Sequence, residues 1–128
     1  MIFGMGTDIV EVERIKSAIE KYGDRFLNRI FTEREIEYCN SFNENKFEHF
    51  AARFAAKESF SKAIGTGITR GFKFREVGIR NEPNGKPLVE LEGGLKEIWG
   101  DYTLQVSLSH TTGNAVAFLI MEYPASGE

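Results

Sequence analysis

Glu58 and Lys62 stand four positions apart within Phe47–Ile64, a run with the composition of a buried helix, so their side chains share one helix face. Small Ala51 and Ala55 border that face and would leave space beside the charges, while Phe50, Phe54 and Phe60 pack on other lines. The same spacing also describes an ordinary solvated Glu–Lys pair. Asp8, set between Gly6-Thr7 and Ile9-Val10, falls where a strand meets a helix, either as a helix N-cap or as a second acid reaching Glu58. Two carboxylates converging on an open site make a hard oxygen set suited to Mg²⁺, which keeps waters and shares a substrate phosphate; Lys62 would neutralise further phosphate charge. Ser107-Leu108-Ser109-His110-Thr111 gathers hydroxyls and an imidazole at a strand end. These groups can bond phosphate or sugar oxygens, or satisfy the strand end itself. No Gly-x-Ser-x-Gly elbow accompanies them, and Gly65-Thr66-Gly67 follows a helix without a Gly-Lys-Ser/Thr, so it reads as a stop signal. His49 has no motif around it and reads as a structural or surface histidine.

The elements that must position these residues show in the periodicity. Ile2–Val12 is β-rich around a Gly4-Met5-Gly6 bend and then turns helical, with Val12, Ile15, Ile19 and Tyr22 on one face and Gly23 as terminator. Thr32-Glu33-Arg34-Glu35 is a capping box opening a short helix to about Cys39. The central helix, Phe47–Ile64, carries five alanines and ends at Gly65. Val77–Arg80 and Leu88–Leu91 flank Asn84-Gly85, the composition of a hairpin turn with positive φ. After a short helix over 94–100, Tyr102, Leu104, Val106 and Leu108 alternate with polar residues, the pattern of a strand with one buried face. Ala115–Met121 is nearly all apolar, which predicts a strand covered on both faces, and the tail from Pro124 to Glu128 reads as frayed. Helices in the first half and mostly antiparallel strands in the second give an α+β class, in one domain spanning 1–128.

The 128 residues are 41% hydrophobic and 27% charged, enough to bury a core, which excludes disorder and collagen-like repeats. Sixteen Lys and Arg against nineteen Asp and Glu leave a net charge of −3, so there is no global positive field for a nucleic-acid backbone. An acidic partner must meet a local patch, and Arg14, Lys21, Arg25 and Arg29 supply either one or a solvated helix face. Cys39 is alone, so no internal disulfide forms, no zinc spacing exists, and a reducing cytoplasm is expected. The apolar N-terminus lacks a basic leader and runs into Asp8, and no apolar run approaches the length of a membrane span.

Three segments together, Gly6–Val12, Phe54–Gly67 and Ser107–Thr111, resemble in order and spacing the signature of the holo-[acyl-carrier-protein] synthases, small 4'-phosphopantetheinyl transferases. Arg25-Phe26, Arg29–Thr32 and Asn84-Gly85-Lys86-Pro87 extend the likeness over nearly the whole chain; Phe54 and Ser59 depart from it, standing where the family often has Trp and Ala. The resemblance implies helices packed on a mainly antiparallel sheet. It implies transfer of phosphopantetheine from coenzyme A to a serine of apo acyl carrier protein, with release of adenosine 3',5'-bisphosphate. It makes Asp8 and Glu58 the ligands of Mg²⁺, Glu58 the base toward the serine, directly or through a water on the metal, and Lys62 the group that stabilises or protonates the departing phosphate. Around the nucleotide and its 3'-phosphate it places His110, Thr111, the Gly85–Pro87 turn, Arg53 and Ser61. Arg14 and Arg25 grip the carrier's acidic helix and Phe26 packs in its apolar groove. The implied assembly is a homotrimer with sites between subunits. Two other readings compete: a transferase for carrier domains of polyketide or peptide synthases, and a non-catalytic module binding coenzyme A or a carrier protein.

Overall fold

The computed structural model describes residues 1–68 and 71–125. In chain order these form β1 (Ile2–Glu11), α1 (Val12–Tyr22), α2 (Asp24–Ile30), α3 (Glu33–Asn40), α4 (Lys46–Ala63), a 3-10 turn at Phe74–Glu76, β2 (Val77–Asn81), β3 (Pro87–Leu91), α5 (Gly93–Trp99), β4 (Thr103–His110) and β5 (Asn114–Glu122). The strands make an antiparallel sheet in the order β1-β5-β4 and a separate antiparallel hairpin, β2-β3. The frayed end expected at Ser126-Gly127-Glu128 lies outside the described residues.

The central helix α4 lies on one face of the three-stranded sheet because both surfaces are made small there. Ala51, Ala52, Ala55 and Ala56 are buried along the helix, and Ala115 and Ala117 are fully buried on the strand beneath. Ala51 and Ala55 therefore belong to the core and do not border an open space, as their position beside the charges had suggested. The Gly4-Met5-Gly6 segment does not bend away either; β1 continues through it, with one register slip between Ile2 and Gly4. A Cβ on Gly4 would overlap the Ala63 carbonyl oxygen, and one on Gly6 that of Ser59. These glycines let the helix backbone settle against the strand.

Strand β5 departs from expectation. Ala115, Ala117, Leu119 and Met121 are buried under α4, but Val116 and Phe118 point away and are exposed. In register beside Val116, Phe118 and Ile120 stand Ile9, Thr7 and Met5 of β1 and Ser109, Ser107 and Gln105 of β4. The outer face is thus a partly apolar surface, with Ile9 68% and Phe118 42% exposed. An apolar run of this kind looks the same in sequence with one face covered or two.

Gly23, at φ 57°, ends α1 as expected, but α2 starts immediately after it. Arg25, Phe26 and Arg29 thus ride on a helix of their own. The capping box is present in full: Thr32 Oγ1 accepts from the Glu35 N–H, and Glu35 Oε1 accepts from the Thr32 N–H. Glu35 also does more than cap. Its Oε1 accepts from Lys57 Nζ at 2.8 Å and its Oε2 from the Ile79 N–H at 2.8 Å. Lys57 donates further to the Phe74 and Val77 carbonyls, so all three of its N–H bonds are used. Burial pulls the Lys57 ammonium below its ordinary value, and Glu35 opposes that pull. This buried pair ties α3, α4 and β2 and fixes the rotation of α4.

Candidate active site

Asp8 is on the inner face of β1, in register with Ala117, where the close helix contact brings α4 over it. It is not a helix cap: α1 begins at Val12, with Glu11 at the cap position and no side-chain hydrogen bond there. Lys62 Nζ donates to Asp8 Oδ1 and to the Thr7 carbonyl, both at 2.9 Å. Lys62 and Glu58 are therefore no isolated solvated pair, because strand β1 supplies a third member. The other carboxylate oxygen, Asp8 Oδ2, is buried with no partner among the fixed donors. Burial lifts the half-buried Glu58 carboxyl to about 7, with a hydrogen bond to Asp8 and the charge of Asp8 adding to the rise, and Lys62 and Arg14 opposing it. The carboxyl–carboxyl bond exists only while Glu58 keeps its proton. With both groups ionised, Oδ2 and Glu58 present negative charge that the single Lys62 cannot balance. A small hard cation fits that deficit, and two carboxylates are what Mg²⁺ takes from a protein when phosphates and waters supply the rest. No cluster of three or more potential ligands occurs among the described residues.

A second cluster lies at the other end of α4 and the end of β4. His110 Nδ1 donates to Glu48 Oε1 at 2.7 Å, and the His110 ring stands 5.0 Å from His49. His49 stacks on Phe42 with ring centroids 3.8 Å apart, and burial with the nearby charge of Arg53 pushes its imidazole down to about 4. Arg53 is almost fully buried, its guanidinium 4.3 Å from the Tyr38 ring and bonded to Asn81 Oδ1, with Nε left without a partner. Asn81 in turn donates to the Gly85 carbonyl at 3.0 Å. Gly85, at φ 93°, makes the hairpin turn, and Pro87 begins β3 opposite Asn81. Arg53 and the Gly85–Pro87 turn are thus joined through Asn81, a link with no trace in sequence spacing. Thr111 Oγ1 accepts from the N–H groups of Gly113 and Asn114, holding the turn that follows His110. Ser61 is buried, and its hydroxyl donates to the Glu58 carbonyl at 2.6 Å.

The two clusters are not neighbours. Glu48 and Glu58 are ten residues apart on α4, or about 15 Å along the helix axis. The basic residues form a third region. Arg14 on α1 lies near enough for its charge to act on Glu58. Arg25, half-buried Phe26, Tyr22 and Arg29 line a groove of about 440 Å³. No helix of the described residues is long and apolar enough to cross a membrane.

A strand-held acid with a helical Glu and Lys facing it, and a separate histidine cluster at a strand end, are the candidate site, and the comparisons define the class of protein that carries it. Residues 4–118 match the model of the 4'-phosphopantetheinyl transferase superfamily, and the chain belongs to that family of enzymes. Within it, the relatives are holo-[acyl-carrier-protein] synthases. The one from Clostridium novyi is 48% identical, over 99% of this chain and 92% of its own. The crystal structure from Neisseria meningitidis superposes with a TM-score of 0.84 at 36% identity, covering 96% of this chain and all of the other. The structure from Bacillus anthracis, in complex with coenzyme A (3',5'-ADP), gives 0.78 at 37% identity over 95% and 97% of the two chains. The expected α+β fold, with helices on an antiparallel sheet, is borne out.

Proposed function

We propose that the chain transfers 4'-phosphopantetheine from coenzyme A to a serine of apo acyl carrier protein, releasing adenosine 3',5'-bisphosphate. The observation that carries this reading is the convergence of Asp8, Glu58 and Lys62, with a half-buried carboxyl lifted to about 7 beside a buried carboxylate oxygen that no fixed donor reaches. Asp8 and Glu58 would hold Mg²⁺, which when bound supplies positive charge against the pyrophosphate oxygens. Glu58 takes the serine proton as the serine oxygen bonds to the β-phosphorus. The bond from that phosphorus to the bridging oxygen breaks, and Lys62 offers its ammonium to the charge left on the departing phosphate. His110, Thr111, Arg53, Ser61 and the Gly85–Pro87 turn form the nucleotide side, and Arg14, Arg25 and Phe26 receive the acidic carrier.

The reading includes a homotrimer with sites between subunits, and the whole of 1–128 acting as one domain. Two observations support the assembly. The outer sheet face is partly apolar and uncovered, and Glu48, the acid that holds His110, stands about 15 Å from Glu58 along α4. Two chains, one giving each cluster, would close the site. Buried, unpaired Cys39 suits a cytoplasmic setting. Glu58→Gln should abolish transfer, followed by carrier mass, while coenzyme A still binds. Turnover in that variant would overturn the role, and a non-catalytic binding module would show no transfer in either form.

A further inference from the structure

We infer that Glu48 is a positioning residue for the nucleotide, acting through His110; the inference rests on the reading that His110 contacts coenzyme A. An imidazole on a free rotor presents either nitrogen, and binding must order it first. Here the ring is held on two sides. Glu48 Oε1 accepts the Nδ1–H at 2.7 Å, which leaves Nε2 as the only ring nitrogen for a ligand. His49 meets the ring edge to face at 5.0 Å and 64°, and is itself pinned by stacking on Phe42. Both Glu48 and the His110 ring are only partly exposed, with side-chain exposures of 18% and 28%. Glu48 therefore faces into the cluster and is not spread into water, as a merely solubilising acid would be. Because it sits in the first turn of α4, it also complements the helix N-terminus. That second role is a matter of stability alone, and it separates from the first by experiment.

The test is calorimetric titration of adenosine 3',5'-bisphosphate and of coenzyme A into Glu48→Ala, Glu48→Gln, His110→Ala and the Glu48→Ala/His110→Ala double variant. Removing the charge-assisted bond should weaken binding about tenfold in Glu48→Ala, while kcat at saturating coenzyme A stays within about twofold of the wild type. Gln keeps an acceptor for Nδ1–H and should restore most of the affinity. In the double variant the loss should be no greater than in His110→Ala. Losses that multiply, or a Glu48→Ala protein binding as wild type while His110→Ala does not, overturn the inference and leave the reading of His110 intact. Unchanged binding in His110→Ala removes both. Independent of any variant, ¹⁵N spectra should show a proton on His110 Nδ1; an Nδ1 without one contradicts the inference.

Discussion

His49 faces Arg53, His110 and Glu48, and its imidazole is held at about 4 against an ordinary 6.5, by burial first and by the charge of Arg53 next. The native state therefore refuses a proton that the unfolded chain accepts. Stability should be full above pH 6.5 and fall as pH drops toward 4. His49→Phe, which keeps a ring for Phe42 to stack on, should flatten that fall in urea titrations; a curve of unchanged slope would show that His49 is not the cause. At the same scale, Glu35→Ala strands the Lys57 ammonium in the core and should cost about 3–5 kcal/mol in urea unfolding; a loss under 1 kcal/mol would contradict the buried pair. Asp8, Glu58, Lys62 and His110 were recognisable in sequence as candidates because motifs of several residues surround them. Glu48 and Asn81 were not: Glu48 stands 62 positions from His110 and Asn81 stands 28 from Arg53, and only the folded chain closes those gaps. Glu35 was legible as a cap and not as the partner of Lys57, since a capping box accounts for a glutamate without further need.

Elements bring Asp8 and Glu58 together through backbone contact. The α4 backbone reaches β1 because Gly4 and Gly6 have no side chains to meet it. Gly6→Ala should push Ser59 and its turn of α4 off the strand, lowering stability by about 1–3 kcal/mol and depressing transfer further by displacing Glu58 and Lys62 from Asp8. Gly113→Ala, where a Cβ meets nothing, is the matched control. A Gly6→Ala protein as stable and active as that control would refute the close-contact explanation. Periodicity had located this strand, the central helix, the Gly85 hairpin and the alternating strand β4. It misread the glycine pair as a bend, because a glycine needed for another element's approach looks like one needed for a turn. It passed over α2 because Gly23 ends one helix and caps the next, leaving no loop between them.

At the scale of the molecule, the proposed trimer would account for both the uncovered sheet face and the separation of the two clusters, because neighbouring copies would complete each other's sites. At coenzyme A concentrations too low to saturate His110→Ala, chains with Asp8→Ala and chains with His110→Ala, each poorly active alone, should together regain about a quarter of the wild-type rate when co-refolded in equal amounts, since half the chains offer either intact cluster. No recovery would place both clusters in a single-chain site. The central claim is the group transferred, and intact-mass analysis of an apo acyl carrier protein incubated with this protein, coenzyme A and Mg²⁺, beside a chelator control, tests it most directly. A mass gain of one phosphopantetheine that the chelator abolishes is expected. Coenzyme A binding with no mass gain on any of several carriers would contradict it.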